Sequence, residues 1–152
     1  MDVYARLKEL NLTLPAPPPP GPGVNIPVKQ VGNLLFVSGH TPKINGEPVL
    51  LGKVGSDRTV EEGQEAARII VLNVLAQLHR FLGDLNKIKS VVKTLGFVQS
   101  AEGFSQQPLV VNGASAMLKD IWGEAGIGTR SAIGVNQLPR NFPVEIEFIF
   151  EV

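Results

Sequence analysis

Between Thr59 and Gly83 the apolar residues Ala66, Ile69, Ile70, Val74, Leu75, Leu78, Phe81 and Leu82 recur at helical spacing. The stretch therefore predicts one long helix with an apolar side. Thr59 followed by Glu62 is the signature of a capping box, and Gly83 supplies the stop. A one-sided helix of this length has to be buried against a second layer. With 152 residues, 43% of them apolar, the chain is long enough for one core, and a single compact domain is expected.

The flanking patterns define the second layer. Val24 to Val37 alternates or runs apolar around Gly32-Asn33, which reads as two strands joined by a tight turn. Ser38-Gly39-His40-Thr41-Pro42 is expected to stop the second strand, and Gly46 and Gly52 punctuate a loop carrying Pro48-Val49-Leu50-Leu51. Ile88 to Val98, rich in valine, reads as a long strand. Val110 to Trp122 predicts a second helix, with Val111, Ala114, Met117, Leu118 and Ile121 on one side. Arg130 to Val135 and Val144 to Val152 read as two further strands around a loop with Pro139 and Pro143.

This order predicts an α+β fold, a mixed or antiparallel sheet with both long helices packed on one face. In the last strand Val144, Ile146, Phe148 and Phe150 alternate with Glu145, Glu147, Ile149 and Glu151, so the first set is expected beneath the helices. The other face is apolar too, because Leu34 to Val37 and Val91 to Val98 place apolar side chains on both sides. A sheet apolar on both faces with helices for only one implies cover from another subunit.

Ahead of this domain, assigned to residues 24–152, residues 1–23 read as a helix and a proline-rich linker. Asp2 caps a helix to about Leu10, and Pro15 to Pro22, with six prolines and a glycine, cannot continue it. The linker reads as an extended spacer laying the first helix on the domain surface. The N-terminal residues mix charges into their apolar positions and lack the run that a signal peptide or membrane span requires, so a cytoplasmic location is expected.

Composition narrows the chemistry. Fourteen basic residues balance fourteen acidic ones, leaving no global field to steer nucleic acid or anionic membrane. The absence of cysteine removes disulfides, thiolate nucleophiles and thiolate metal sites. The glycines never assemble a phosphate cradle. His79, inside the long helix beside Arg80, reads as structural, and no metal site is expected. His40, in a glycine-flanked segment at a strand end, is a candidate to line a site.

Arg130 follows the flexible run Gly126-Ile127-Gly128 and shares its side of the strand with Ala132 and Gly134, which leave room beside a guanidinium. If the helix-covered side carries Ile133 and Val135, then Arg130, Glu145 and Glu147 all face the other way, toward the subunit interface. Two readings stand side by side. One is an interfacial ion pair between arginine and glutamate. In the other, Arg130 holds a substrate carboxylate in bidentate fashion while a glutamate handles protons or water.

The runs Gly32-Asn33-Leu34-Leu35-Phe36-Val37-Ser38-Gly39-His40, Asn112-Gly113-Ala114-Ser115, Arg130-Ser131-Ala132, Leu138-Pro139 and Val144-Glu145-Ile146-Glu147 occur in that order. Together they resemble the Rid/YjgF family of reactive-intermediate (imine) deaminases, also described as the endoribonuclease L-PSP family. The resemblance covers residues 24 to 152. It implies a chorismate-mutase-like fold assembled as a homotrimer, with sites in the clefts between subunits. It further implies a hydrolase resembling 2-iminobutanoate/2-iminopropanoate deaminases, which converts enamine-derived 2-imino acids to 2-keto acids and ammonia without metal or organic cofactor. Carried over by position, Arg130 anchors the substrate carboxylate and Glu145 positions or activates the water. Asn112, Ser38, Gly39, His40, Ala132 and Asn25 line the pocket.

Three positions depart from the deaminating pattern: Asn25 stands for a tyrosine, Ala132 for a cysteine and His40 for a glutamine. They mark a divergent subgroup. The alternatives are a non-catalytic, regulatory trimer that binds a carboxylate metabolite, and an endoribonuclease or translation inhibitor. Balanced charge and a single Trp and Tyr disfavour the last.

Overall fold

The computed structural model describes residues 1–152. Helix α1 spans Val3–Glu9 and is followed by strands β1 (Val28–Val31), β2 (Leu34–His40), β3 (Lys43–Ile44) and β4 (Glu47–Pro48). Then come α2 (Val60–Leu82), β5 (Ser90–Gln99), α3 (Gln107–Trp122), β6 (Thr129–Val135) and β7 (Val144–Glu151).

The expected capping box closes the start of α2. The Glu62 amide donates to Thr59 Oγ1 and the Thr59 amide to Glu62 Oε1, each at 3.1 Å, which satisfies two of the amides a helix start leaves free. At the other end Gly83 takes the left-handed conformation (φ 75°) in which a side chain would be strained.

Five strands form one sheet in the order β1-β2-β7-β5-β6. All neighbours are antiparallel except the parallel pair β5 and β6, so the sheet is mixed as expected. Helices α2 and α3 cover one face. Val144, Ile146, Phe148 and Phe150 of β7 are buried beneath them, alongside Leu35 and Val37 of β2. Close approach depends on glycine at two places. A Cβ on Gly113 of α3 would run into the backbone of Gln64 on α2, and one on Gly96 of β5 would lie 2.6 Å from a methyl of Val111.

The opposite face carries Phe36 and Ile133, both more than two-fifths exposed, with Leu34, Leu95, Phe97 and Ile149 half-buried around them. Its apolar surface is uncovered in the single chain.

Two local expectations are corrected. The second strand stops within Ser38-Gly39-His40-Thr41-Pro42, but at His40 and not at its start: β2 runs through Ser38 and Gly39. The register passes from Val37 opposite Phe148 to His40 opposite Ile146, so Ser38 and Gly39 together oppose the single Glu147 in a bulge that carries the strand on. The loop before α2 also contains a small hairpin, β3 and β4, whose Asn45 and Gly46 adopt φ of 52° and 80°. Asn-Gly at this turn is the sequence signal for it.

The N-terminal helix and the proline stretch are both packed. Val3 and Leu7 of α1 belong to the main core. The Tyr4 hydroxyl accepts from the Leu85 amide at 2.9 Å and lies 2.8 Å from His79 Nδ1. The prolines lie along α2, where Gln77 Nε2 donates to the Pro18 carbonyl at 2.9 Å. No helix is long and apolar enough to cross a membrane.

Candidate functional site

Arg130 lies on β6, the edge strand beside α3. Its register partner Thr94 also pairs with the buried Phe148, which places Arg130 on the helix-covered face of the sheet. The guanidinium Nη1 donates to Asn112 Oδ1 at 2.7 Å and to Ser115 Oγ at 3.2 Å, both on α3. No carboxylate of the chain pairs with it; the ion pairs are Arg6–Glu9, Arg58–Glu62 and Arg68–Glu65. With Nη1 occupied, the Nε and Nη2 edge is left as a two-donor fork of the geometry that grips a carboxylate. It borders a cleft of about 420 Å³ lined also by Thr94, Ile127 and Gly128. Gly128 is required there, since a Cβ would sit 2.7 Å from the Val91 carbonyl oxygen. Ala132 is half-buried on the same side, one register step along.

Arg130 therefore does not share a face with Glu145 and Glu147, contrary to the expectation that all three project together. Glu145 pairs through Phe97 with Ile133, on the open face. The apolar pair Ile133 and Val135 was the basis for placing that side beneath the helices. In the structure both faces of this part of the sheet are apolar, so alternation in β6 does not reveal which one the helices cover.

The remaining candidates gather in a second cleft of about 750 Å³ at the end of β2, where Asn25, Ser38, Gly39, His40 and Glu145 all contribute to the wall. It shares no lining residue with the Arg130 cleft. The bulge organises it. Ser38 Oγ donates to the Ile26 carbonyl at 2.6 Å, and Asn25 Nδ2 lies 3.5 Å from the same hydroxyl. His40 Nδ1 lies 2.7 Å from the Ser38 carbonyl oxygen, so Nδ1 carries the proton and donates, and Nε2 of the neutral ring keeps its lone pair. Burial pulls the His40 pKa below its ordinary value; the Ser38 carbonyl works against this, and the nearby Lys43 ammonium adds to it. Glu145 is raised above the usual carboxylate range, first by burial and then by the charge of Glu147. Gly39 faces it so closely that a Cβ would lie 2.9 Å from Glu145 Oε2.

Several lining residues escaped the sequence reading. Ser115 lies three residues after Asn112, a spacing that puts both on one helix face, and this was the available signal. Lys43, Arg80 and the prolines from Pro18 to Pro22 line the larger cleft, although the linker carried no functional expectation. Only the docking of that linker on α2 brings it there. No three His, Asp or Glu side chains gather in a group able to hold a metal ion.

Comparison with known proteins gives this geometry a setting. Residues 6–150 match the family model described as "YjgF/chorismate mutase-like, putative endoribonuclease". Protein TCP17 of Trypanosoma cruzi is 42% identical over 122 residues, 80% of this chain and 76% of that protein. The crystal structure of Atu1372, a protein of unknown function from Agrobacterium tumefaciens, is 42% identical with a TM-score of 0.89 over 99% of this chain and 91% of that one. A crystal structure described as a putative endoribonuclease from Shewanella oneidensis is 31% identical with a TM-score of 0.94 over the whole of both chains.

Proposed function

This chain belongs to the Rid/YjgF family, and we propose that it hydrolyses small 2-imino acids, the tautomers of 2-aminoacrylate-like enamines, to 2-keto acids and ammonia. The single observation that carries the reading is Arg130: a guanidinium held in place by Asn112 and Ser115, with its carboxylate-gripping edge unpaired at a cleft. Of the arginines that meet no carboxylate, only Arg130 is fixed by side-chain hydrogen bonds, to Asn112 and Ser115.

Arg130 and Glu145 lie on opposite faces of one sheet, so a site using both needs two copies of the chain. The proposed assembly is a homotrimer that covers the open apolar face and sets the Arg130 cleft of one subunit against the Glu145 cleft of its neighbour. Arg130 then fixes the carboxylate and, with it, the position of the imine carbon. Glu145 takes a proton from a water molecule as the water oxygen bonds to that carbon. The imine nitrogen takes a proton from solvent as this bond forms, giving a neutral carbinolamine; Glu145 then returns its proton to that nitrogen, which leaves as ammonia as the C–N bond breaks, while the carbinolamine hydroxyl gives up its proton to solvent and becomes the keto oxygen. A carboxylate raised toward neutrality suits both halves of this transfer. Asn25, Ser38, Gly39 and His40 wall the water side, and Ala132 lies beside the arginine. Because imines hydrolyse unaided, orientation and charge stabilisation are all the protein has to supply, and no cofactor enters.

The test is ammonia release from an imine generated in place by an amino-acid oxidase. Wild type accelerates release over buffer and Arg130→Ala does not; equal rates for the two proteins, or no acceleration by wild type, would refute the assignment. One observation favours a second reading, a regulatory trimer that binds a carboxylate metabolite without turnover. Glu145 is one of the few candidates that no hydrogen bond within the chain orients, and saturable carboxylate binding without ammonia release is its signature. The endoribonuclease description of the family finds less support. Balanced charge and a single Trp and Tyr offer little for backbone neutralisation or base stacking.

A further inference from the structure

The cleft that holds His40 and Glu145 is larger than a three-carbon imino acid requires, and at about 750 Å³ falls in the range of sites for considerably bigger ligands. Its far side is built from the proline segment, the last turn of α2 and β3. The proline segment forms one wall, held on α2 by the Gln77 bond to the Pro18 carbonyl. Phe81, exposed at 47%, adds an apolar surface from the last turn of α2. Two cations complete the lining, Arg80 from that same turn and Lys43 from β3. Neither meets a carboxylate within ion-pair distance, and neither side chain makes a hydrogen bond within the chain. Lys43 Nζ instead stands 6.0 Å from the centre of the Phe142 ring. The position of Arg80 at a helix C-terminus suits the helix dipole, but that accounts for Arg80 alone and not for a second cation, without a carboxylate partner, in the same lining. The only carboxylate in the lining is Glu145.

We propose that Lys43 and Arg80 form a second anion-binding subsite in this cleft, so that the preferred ligand is a small acid with two anionic groups joined by a short apolar spacer. The inference rests on the proposed function for the first anion, which Arg130 of a neighbouring subunit takes. The spacer lies along Phe81 and the prolines, and the second anion, a carboxylate or a phosphate, meets the ammonium and the guanidinium.

Two sets of measurements test this on the assembled protein. In the first, calorimetry at low ionic strength compares succinate with butyrate, and 2-phosphoglycolate with glycolate, for wild type and for the double variant K43Q/R80Q. Wild type is expected to bind each doubly anionic probe on the order of tenfold more tightly than its partner, and the double variant to lose that margin, as two partly exposed charge contacts would allow. The larger margin of the two pairs tells whether the second anion is a carboxylate or a phosphate. R80Q alone, on an exposed helix turn, should give a smaller shift in the same direction. In the second, the ratio of kcat/KM for 2-iminosuccinate over 2-iminobutanoate should fall on the order of tenfold in K43Q/R80Q, through KM. Equal affinity of wild type for the members of both pairs, or a margin that survives in K43Q/R80Q, would overturn the subsite. A margin that depends on Lys43 and Arg80 with no turnover of any imine would sustain the subsite and remove the deaminase reading instead.

Discussion

Replacing Gly39 by alanine separates the folding role of the β2 bulge from its role at the site. The added Cβ would lie 2.9 Å from Glu145 Oε2, 3.0 Å from its Cδ and 3.2 Å from its Cγ, where ordinary contact begins at 3.4 Å. The carboxylate must therefore move by roughly half an ångström, and the atoms in the way belong to a half-exposed side chain free to swing aside. The fold should lose less than about 1 kcal/mol, which is less than about 4 °C in Tm for a chain of this size. Catalysis should suffer more. If a misplacement of about 1 Å costs about a hundredfold, half of that costs roughly tenfold in the rate of ammonia release. The assay pairs thermal unfolding with steady-state kinetics for Gly39→Ala, Glu145→Gln and the double variant. Because the effect runs through Glu145, Gly39→Ala should add little in the Glu145→Gln background. Full activity in Gly39→Ala, or losses that multiply in the double variant, would refute the placement of Glu145 at the reacting centre.

Other outcomes follow from the same geometry. Asn112→Ala removes the shorter of the two contacts that hold Arg130 and should raise KM roughly three- to tenfold with a smaller change in kcat, measured by ammonia release; an unchanged KM would mean that Arg130 needs no such support. Gly113→Ala forces α3 away from the Gln64 backbone and should destabilise by about 2 kcal/mol, or ~4–8 °C in Tm. Burial lowers the His40 pKa, so the folded state binds fewer protons there than the unfolded chain; the stability this confers is present above about pH 6.5 and is lost as pH falls through the folded pKa. Unfolding measured between pH 7 and 5 should show a steeper loss for wild type than for His40→Gln, and parallel profiles would contradict the buried neutral imidazole.

How much of this was legible in the sequence depended on whether the determining contacts were local. The caps of α2 were readable because Thr59, Glu62 and Gly83 act within one turn of where they stand. The burial of β7 was readable because its alternation sets apolar residues against three glutamates. The side of the sheet taken by Arg130 was not, since β5 is apolar on both faces and the more apolar side of β6, Ile133 and Val135, is the uncovered one; only the packing of α3 against the β6 edge decides it. The small hairpin at Asn45-Gly46 has only a two-residue signal in the sequence, inside a stretch whose glycines read as loop. The bulge at Ser38-Gly39 was hidden for a different reason: Ser-Gly reads as a strand stop, and only the partner strand β7 shows that pairing resumes at His40. The proline wall of the larger cleft depends on Gln77 reaching Pro18, 59 residues away, and no local pattern announces a contact of that kind.

Arg130 and Glu145, on opposite faces of one chain, are proposed to act together across two copies. Co-expressing Arg130→Ala and Glu145→Gln chains in equal amounts tests it directly, because each variant alone supplies only one half of every site. In assemblies of randomly mixed chains, a junction is complete when the subunit supplying the arginine and the neighbour supplying the glutamate are both intact at those positions, which holds for roughly one junction in four. Arg130→Ala alone should release ammonia at the buffer rate and Glu145→Gln alone at a small residual rate, while the mixture recovers roughly a quarter of wild-type activity. A mixture as inactive as its components would contradict a site shared between chains.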